Sequence, residues 1–459
     1  MTSEQRAGGD NHVVLFAKRP GENNSATVDC FAVIPVESPT ASDVGVDQCL
    51  IRTLFLSVDP AQRCRMNAST GVDYLGPYVI GEPVDGMEGV GIVEIAGSSC
   101  SLQVGDIVTS CAHLWTWTKF FVADCSDLVK VNLPPGFSPS VILSAVGLSG
   151  MTALLGIQKR ARIDRNKPQT IVVSGAAGSC GSLAGQIARI EGCSKVIGIC
   201  GSEAKCRVLR EELGFDSAIN YRAEPIGERL RVLAPEGVDI YWDNVGGFIS
   251  DAVIQQMNEN GRVVLCGQIA VYNTDLPYPP PIPHETAEMI QRRNIIRERF
   301  LVLTYKNEMD EAVEQLSRWL QENKIKIKET IYDGLSAAPQ AFIDMMSGKN
   351  IGKMLIHEKS KGERSKQLST VVYETTKYLK NTPALVQTKE SIHQLIPKLK
   401  PFKLTSAELL QIINLRPSAP TDIQLLVEET EERFPLETEL EELVNVITEC
   451  LPTPPKTIE

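Results

Sequence analysis

Apolar positions in the first part of the chain come in short runs broken by Gly, Pro and Asp. Gln48–Leu56 (QCLIRTLFL) and Gly89–Ile95 (GVGIVEI) are two such runs, followed by the turn and strand Gly105–Thr109 (GDIVT). Branched and aromatic residues between turn formers predict antiparallel strands closing a partly open barrel over residues 11–135. From residue 136 the rhythm changes. Thr170–Ser174 (TIVVS), Lys195–Cys200 (KVIGIC), Val238–Trp242 (VDIYW) and Gly261–Cys266 (GRVVLC) are apolar strand-like runs separated by helical segments. That alternation predicts βαβ units and a parallel sheet over 136–305. Residues 306–357 add an amphipathic helix from Glu308 to Glu322 and closing strands that end at Lys353–Ile356.

A third texture follows. Glu358–Lys366 (EKSKGERSK) is charged and has no apolar period, so 358–368 reads as a linker. Residues 369–459 contain no glycine and read as helical. Thr405-x-x-Glu408 forms a capping box in front of Leu409, Leu410, Ile412 and Ile413. Thr421 or Asp422 caps a next helix that carries Ile423, Leu426 and Val427 on one side. Prolines 417, 420, 435 and 452 mark breaks. One uncharged stretch, Val141–Ile157, is short of the roughly 20 residues a membrane span needs and predicts a buried helix or helix pair.

Composition adds limits. A chain of 459 residues is long enough for roughly three domains, and 43% hydrophobic with 22% charged residues excludes wholesale disorder. The formal charge of -11 removes a global basic footprint, so no direct nucleic-acid contact is predicted. The 12 cysteines form no CxxC pair, and Met1–Asp10 is polar with no apolar core behind a basic start. Scattered thiols without a secretory signal predict a reducing, cytoplasmic setting.

The strongest chemical signal is Gly175-Ala176-Ala177-Gly178-Ser179-Cys180-Gly181, set between an apolar strand and a helical run. Small residues there let a pyrophosphate approach the backbone, and the helix N-terminus supplies N–H donors. The second strand ends Cys200-Gly201-Ser202 without the acid that accepts a ribose hydroxyl, and Lys205 follows. A small turn plus a cation favours NADP, although Glu203 lies nearby. The five histidines, 12, 113, 284, 357 and 393, are dispersed and show no zinc-ligand spacing. Hydride chemistry without a metal then needs another group to polarise a carbonyl, and a tyrosine hydroxyl suits that task.

Longer runs carry a resemblance. They include Leu54-Phe55-Leu56-Ser57-Val58-Asp59-Pro60, Arg63-Cys64-Arg65-Met66-Asn67, Asp243-Asn244-Val245-Gly246-Gly247, Gln256-Met257-Asn258-Glu259-Asn260, Pro277-Tyr278-Pro279-Pro280-Pro281, Arg297-Glu298-Arg299-Phe300 and Asn350-Ile351-Gly352-Lys353. With these, residues 12–357 resemble the zinc-independent medium-chain reductases, in the group that reduces 15-keto prostaglandins. The resemblance implies an α/β chain with a GroES-like β-barrel and a Rossmann doubly wound parallel sheet. It implies NADPH-dependent reduction of the 13,14 double bond of 15-keto prostaglandins or related enones. Gly178, Ser179, Cys180 and Gly181 would hold the pyrophosphate, Lys205 and Tyr221 the 2′-phosphate end, and Asn244 the cofactor body. Cys266, Gly267, Gln268, Ile269, Ala270, Val271 and Tyr272 would line the nicotinamide half, with Phe300, Leu301, Val302 and Asn350. Leu301, Val302 and Leu303 would also touch substrate. Tyr272 would polarise the ketone as hydride reaches the β-carbon, with Tyr74 facing the same pocket. The chain departs from that group after Ser110, where Cys111-Ala112-His113-Leu114-Trp115 replaces an aromatic pair. Trp115 or Trp117 is the expected substitute wall.

The tail carries a second resemblance, through Tyr373-Glu374-Thr375-Thr376-Lys377-Tyr378-Leu379, Lys403-Leu404-Thr405-Ser406-Ala407-Glu408 and Ile423-Gln424-Leu425-Leu426-Val427-Glu428-Glu429-Thr430. Residues 369–459 resemble the C-terminal part of the smaller RNA polymerase III stalk subunits. This implies a small all-α HRDC-like module and the larger stalk subunit as partner, with a nuclear location if it docks. The acidic run around Glu428–Glu442 favours a protein partner over phosphate. The N-terminal strand and first helix of that family have no counterpart here. Three readings therefore stand: an enone reductase with an appended module, a polymerase-associated protein, or two neighbouring genes joined in one chain.

Overall fold

The computed structural model describes residues 11–21, 23–69, 75–110, 114–133, 136–274, 276–277, 279–359 and 383–453. Tyr74, His113 and most of the expected linker lie outside the described residues. The chain divides into two compact units, residues 1–361 and 362–459.

The first unit opens with strands β1 (Asn11–Phe16) and β2 (Phe31–Val36), paired antiparallel. Strand β3 (Gln48–Val58) leads into the one-turn helix α1 (Ala61–Arg65). Then come β4 (Asp85–Gly86), β5 (Gly89–Ala96), β6 (Ile107–Ser110), β7 (Trp115–Thr116), β8 (Phe120–Asp124) and β9 (Leu128–Lys130). Residues Ile142–Ala161 form one helical stretch around α2 (Leu148–Gly156), with π-helical turns on both sides. The next segment alternates strand and helix: β10 (Thr170–Ser174), α3 (Ser179–Glu191), β11 (Lys195–Cys200), α4 (Glu203–Glu211), β12 (Ser217–Asn220) and α5 (Ile226–Leu233). It continues through β13 (Val238–Asp243), α6 (Gly247–Ile254), β14 (Met257–Leu265), α7 (His284–Arg292) and β15 (Ile296–Arg299). The chain then returns to the barrel by α8 (Met309–Gln321), β16 (Glu329–Asp333), α9 (Ala338–Met346) and β17 (Lys353–His357).

β3 is the spine of the barrel, running antiparallel to β5, β8 and β17. The second sheet has six strands in the order β12-β11-β10-β13-β14-β15, with every neighbour parallel. Strand order reverses between β10 and β13, the switch point where a doubly wound sheet opens its binding crevice. The Ile142–Ala161 stretch is the helical run long and apolar enough for a span among the described residues, and 72% of its most apolar window is buried in the protein interior. Glycine makes that fit possible. A Cβ on Gly156 would lie 2.4 Å from the Trp242 ring, so α2 rests directly on the sheet.

Two expectations change here. Trp115 and Trp117, the expected substitute wall, are core residues of the barrel, 1% and 0% exposed. The Trp115 indole donates to Thr53 Oγ1 (3.2 Å), and Trp117 stacks on Phe31 at 6.1 Å. β-Strand alternation turned these rings inward where the barrel needed volume. The cysteines are also not all thiols. Cys100 and Cys125 form a disulfide with Cα atoms 5.8 Å apart, and Cys49 lies beside them.

The second unit is helical among its described residues: Lys389–Leu399, Ser406–Leu415, Pro420–Gln424, Thr430–Arg433 and Glu437–Cys450. Leu395, Leu399, Ile412, Ile423, Leu443 and Ile447 form its core. The Thr405/Glu408 capping box is formed. Asp422 acts from inside its helix, where its carboxylate accepts the N–H groups of Ser418 and Ala419.

Candidate functional site

The crevice begins at the turn after β10. All five residues of β10 are buried, and the turn follows at the carboxyl end of this central strand. Gly175 has φ +58°, in the region only glycine enters freely. A Cβ on Gly181 would sit 2.5 Å from Gly175 O, so that glycine lets helix α3 start against the turn. Gly178 caps the helix and carries no side-chain cap. Two polar atoms here are buried without a protein partner, Ser179 Oγ in the first turn of α3 and Gln268 Oε1 opposite Gly246. Buried polar groups are rarely left so, and among the described residues these two are the unpartnered ones beside the nucleotide turn and the Gly246 loop.

Asp243, at the end of β13, organises the neighbouring loop. Its wholly buried carboxylate accepts N–H bonds from Val245 (3.1 Å) and Gly246 (2.8 Å) and hydroxyl bonds from Tyr241 (2.9 Å) and Ser250 (2.8 Å). Burial, with Asp243 alongside, pushes the Tyr241 phenol well above its ordinary pKa. Asn244 is held at both ends of its amide: Nδ2 donates to Ser174 O (2.7 Å) and Oδ1 accepts from the Trp242 indole (3.1 Å). Residues 266–271 lie along this loop. Cys266 N and Gly267 N donate to Asp243 O, Ile269 N to Asn244 O and Ala270 N to Val245 O. Cys266 Sγ comes within 3.8 Å of Cys180 Sγ, which joins the two halves of the crevice floor. Tyr272 closes the turn Ile269–Val271, and its hydroxyl oxygen accepts the Gln268 N–H at 3.3 Å. A hydroxyl that accepts such a bond becomes a stronger donor.

The far end of the crevice gathers cations. Lys205 Nζ donates to Gly348 O (2.7 Å), and its pKa is lowered by burial and then by the charge of Arg222. Tyr221 packs against Gly201 and meets Phe248 edge-on at 6.2 Å. Arg222 and Phe248 escaped the sequence reading, although Arg222 directly follows Tyr221. Phe248 is 64% exposed, a large apolar ring left open beside Tyr221.

The 300–303 segment divides by alternation. Phe300 and Val302 are buried in the main core, while Leu301 and Leu303 are half-buried. Asn350 Nδ2 donates to Gly352 O (2.7 Å), and Gly352 N donates to Ala177 O (2.7 Å), which sets the 350–353 segment against the cradle. Next in sequence, Lys353 is 2% exposed and donates to Asp59 Oδ1 (2.6 Å) and Ser149 Oγ (3.2 Å). Tyr74 lies outside the described residues.

Comparison with known proteins fits this geometry. The chain is 35% identical over 326 residues to the NADPH-dependent curcumin reductase of Escherichia coli (strain K12), covering 70% of this chain and 90% of that enzyme. The chain belongs to the medium-chain dehydrogenase/reductase family. Within that family it is also 36% identical over 314 residues to prostaglandin reductase 1 of Mus musculus, covering 67% of this chain and 89% of that one. The crystal structure of CurA in complex with NADPH from Vibrio vulnificus superposes with a TM-score of 0.68 at 32% identity, over 76% of this chain and 100% of that chain. Residues 13–131 match the family described as the N-terminal domain of oxidoreductase, and 180–318 match the zinc-binding dehydrogenases. Cys180 and Cys266 are two thiols in this crevice, and among the described residues no third His, Cys or carboxylate ligand atom lies close enough to complete a zinc site with them. Residues 286–451 match the RNA polymerase Rpb4 family, a span that runs back from the helical unit into the reductase.

Proposed function

We propose that this chain is an NADPH-dependent reductase of α,β-unsaturated ketones, with the 13,14 double bond of 15-keto prostaglandins as its substrate. The observation that supports this most is the Tyr272 hydroxyl, held by the Gln268 N–H on a loop bonded to the Asp243–Val245 segment. NADPH, when bound, supplies the hydride that goes to the β-carbon. Gly178 to Gly181 would hold the pyrophosphate, with the unpartnered Ser179 Oγ as a hydrogen-bonding group. Lys205 and Arg222 would meet the 2′-phosphate end, and Tyr221 and Phe248 offer aromatic surface beside it. Gln268 Oε1 would accept a hydrogen bond from the nicotinamide half of the cofactor. Tyr272 donates to the ketone oxygen as enolate charge builds, stabilising the charge only where it develops. Leu301 and Leu303 offer apolar surface to the substrate chain, and Tyr74 a second hydroxyl. The α-carbon of the enolate then takes a proton from solvent water, which completes the reduction and regenerates the ketone.

NADPH oxidation by purified protein with a 15-keto prostaglandin, and with curcumin in parallel, tests the reading. Tyr272→Phe is expected to lower kcat about 100-fold, the low end of the range for losing one hydrogen-bond donor to a developing oxyanion. Full turnover by that variant removes Tyr272 from the mechanism. The proposal includes a cytoplasmic location, checked by tagging both ends of the chain. A single band seen from both ends also excludes two separately expressed genes.

The Rpb4 match supports a second role for the tail, docking on the larger RNA polymerase III stalk subunit. Co-purification of the full chain with that subunit tests it, and no recovery from a lysate rich in polymerase III would count against it.

A further inference from the structure

Arg63 stands out among the charged side chains of the barrel. It is 0% exposed and, among the described residues, has no carboxylate partner. Its Nε–H donates to Asn273 Oδ1 (2.8 Å), Nη1 to Asn67 Oδ1 (2.7 Å) and Nη2 to the backbone oxygen of Asn24 (2.8 Å). Burial lowers its pKa, yet a guanidinium keeps its charge in proteins. A buried cation facing only neutral acceptors is a costly arrangement, one that a purely packing role does not call for.

The placement of Asn273 gives that arrangement a purpose. It directly follows Tyr272, and its other amide end, Nδ2, donates to Ser25 Oγ (3.4 Å). The Arg63–Asn273 bond spans 210 residues of sequence and ties the tyrosine loop, which leaves the end of β14, to a helix of the barrel. The barrel end of the tie is itself anchored. Asp59, just before α1, accepts from the buried Lys353, which also bonds Ser149 in α2.

We propose that Arg63 and Asn273 are positioning residues that hold the Ile269–Thr274 loop so that the Tyr272 hydroxyl meets the substrate carbonyl. The inference rests on the role given above to Tyr272. Tyr272 is bonded to its own loop through Gln268 N–H, so the loop must be located as a body, and the guanidinium fork supplies a directional contact for that.

The test uses the full chain, a 15-keto prostaglandin and NADPH. Asn273→Ala is expected to lower kcat about 10- to 100-fold, the scale of an ångström of misplacement, while NADPH affinity by fluorescence titration stays at the wild-type value. Asn273→Asp, which keeps the acceptor for Arg63, is expected to recover most of the rate. Arg63→Lys, which keeps the charge and loses the fork, is expected to match Asn273→Ala. The double variant Tyr272→Phe/Asn273→Ala is expected to be no slower than Tyr272→Phe alone, because the brace acts through that hydroxyl. Wild-type kcat in Asn273→Ala overturns the brace, as does a loss that multiplies onto that of Tyr272→Phe. Full turnover in Tyr272→Phe overturns the tyrosine reading itself, and a slow Tyr272→Phe with a fast Asn273→Ala overturns the brace alone.

Discussion

Two buried glutamates, one in each unit, do the same local job under opposite electrostatics. Glu88, at the start of β5, accepts the N–H of Leu148, the first residue of α2 (2.6 Å). Glu408 accepts the N–H of Thr405 at the head of the helix Ser406–Leu415 (2.7 Å). Both carboxylates sit at helix N-termini, where negative charge is favoured. Burial pushes the Glu88 carboxyl up to about 7, Lys353 opposes this, and Asp59 adds to it. Among the described residues its second oxygen has no hydrogen-bond partner. Burial also pushes Glu408 up, but the Arg433 guanidinium and the N–H groups of Thr405 and Glu428 hold it down at about 2. Partners, more than burial, therefore decide the sign. The reductase carries a carboxyl that resists ionisation, and the helical unit carries one that resists protonation.

Breaking the better-partnered acid gives the largest expected effect. Arg433→Met leaves Glu408 buried without its cation and is expected to destabilise the helical unit by about 2 kcal/mol, less than the ~3–5 kcal/mol of a fully buried pair because Arg433 is itself part-exposed. Calorimetry of the full chain reads it as a downward shift of one transition. Glu408→Gln comes next, at about 1 kcal/mol near neutral pH. Its pH dependence is the sharper test. A depressed carboxyl contributes stability that is present above its ordinary pKa of 4.5 and is lost as pH falls toward about 2. The wild-type helical unit should therefore weaken across that window, and the Gln variant should stay flat there.

Glu88→Gln should act with the opposite sign. A raised carboxyl costs stability as pH climbs from 4.5 through about 7, because the unfolded chain ionises first. The variant is expected to be more stable than wild type at pH 8 by about 1 kcal/mol, with the gap closing toward pH 4.5. A less stable variant at pH 8 would show that the Glu88 charge is needed at α2. The smallest effect is expected from ending the chain at residue 361. Each unit has its own core, so NADPH-dependent turnover should stay within about twofold of the full chain. A larger change would show that the reductase depends on its tail.

Local interactions were the legible ones. The Thr405/Glu408 box could be read directly because capping partners lie three residues apart. The βαβ rhythm, the nucleotide turn and the buried helix around α2 were readable for the same reason, since periodicity and turn chemistry act within a few residues. The burial of Phe300 and Val302 in the core follows from alternation along the 300–303 segment, which resemblance alone does not give. The two tryptophans were misplaced because inward and outward are indistinguishable on a short strand until its sheet partners are known.

Residues far apart in sequence but joined in space could not be read in advance. The sequence by itself determined the order of domains, the strand–helix alternation, the glycine cradle and the helical tail. Each of these follows from local propensity, and the cradle from glycine's freedom at Gly175. Only the tertiary structure decided that Glu88 would cap α2, that Lys353 would reach Asp59, and that Arg63 would grip Asn273. The ends of those bonds carry no mutual signal along the chain. They meet because the barrel closes through β17 and lies against the end of a parallel sheet, and burial there makes each unpaired polar group seek a partner.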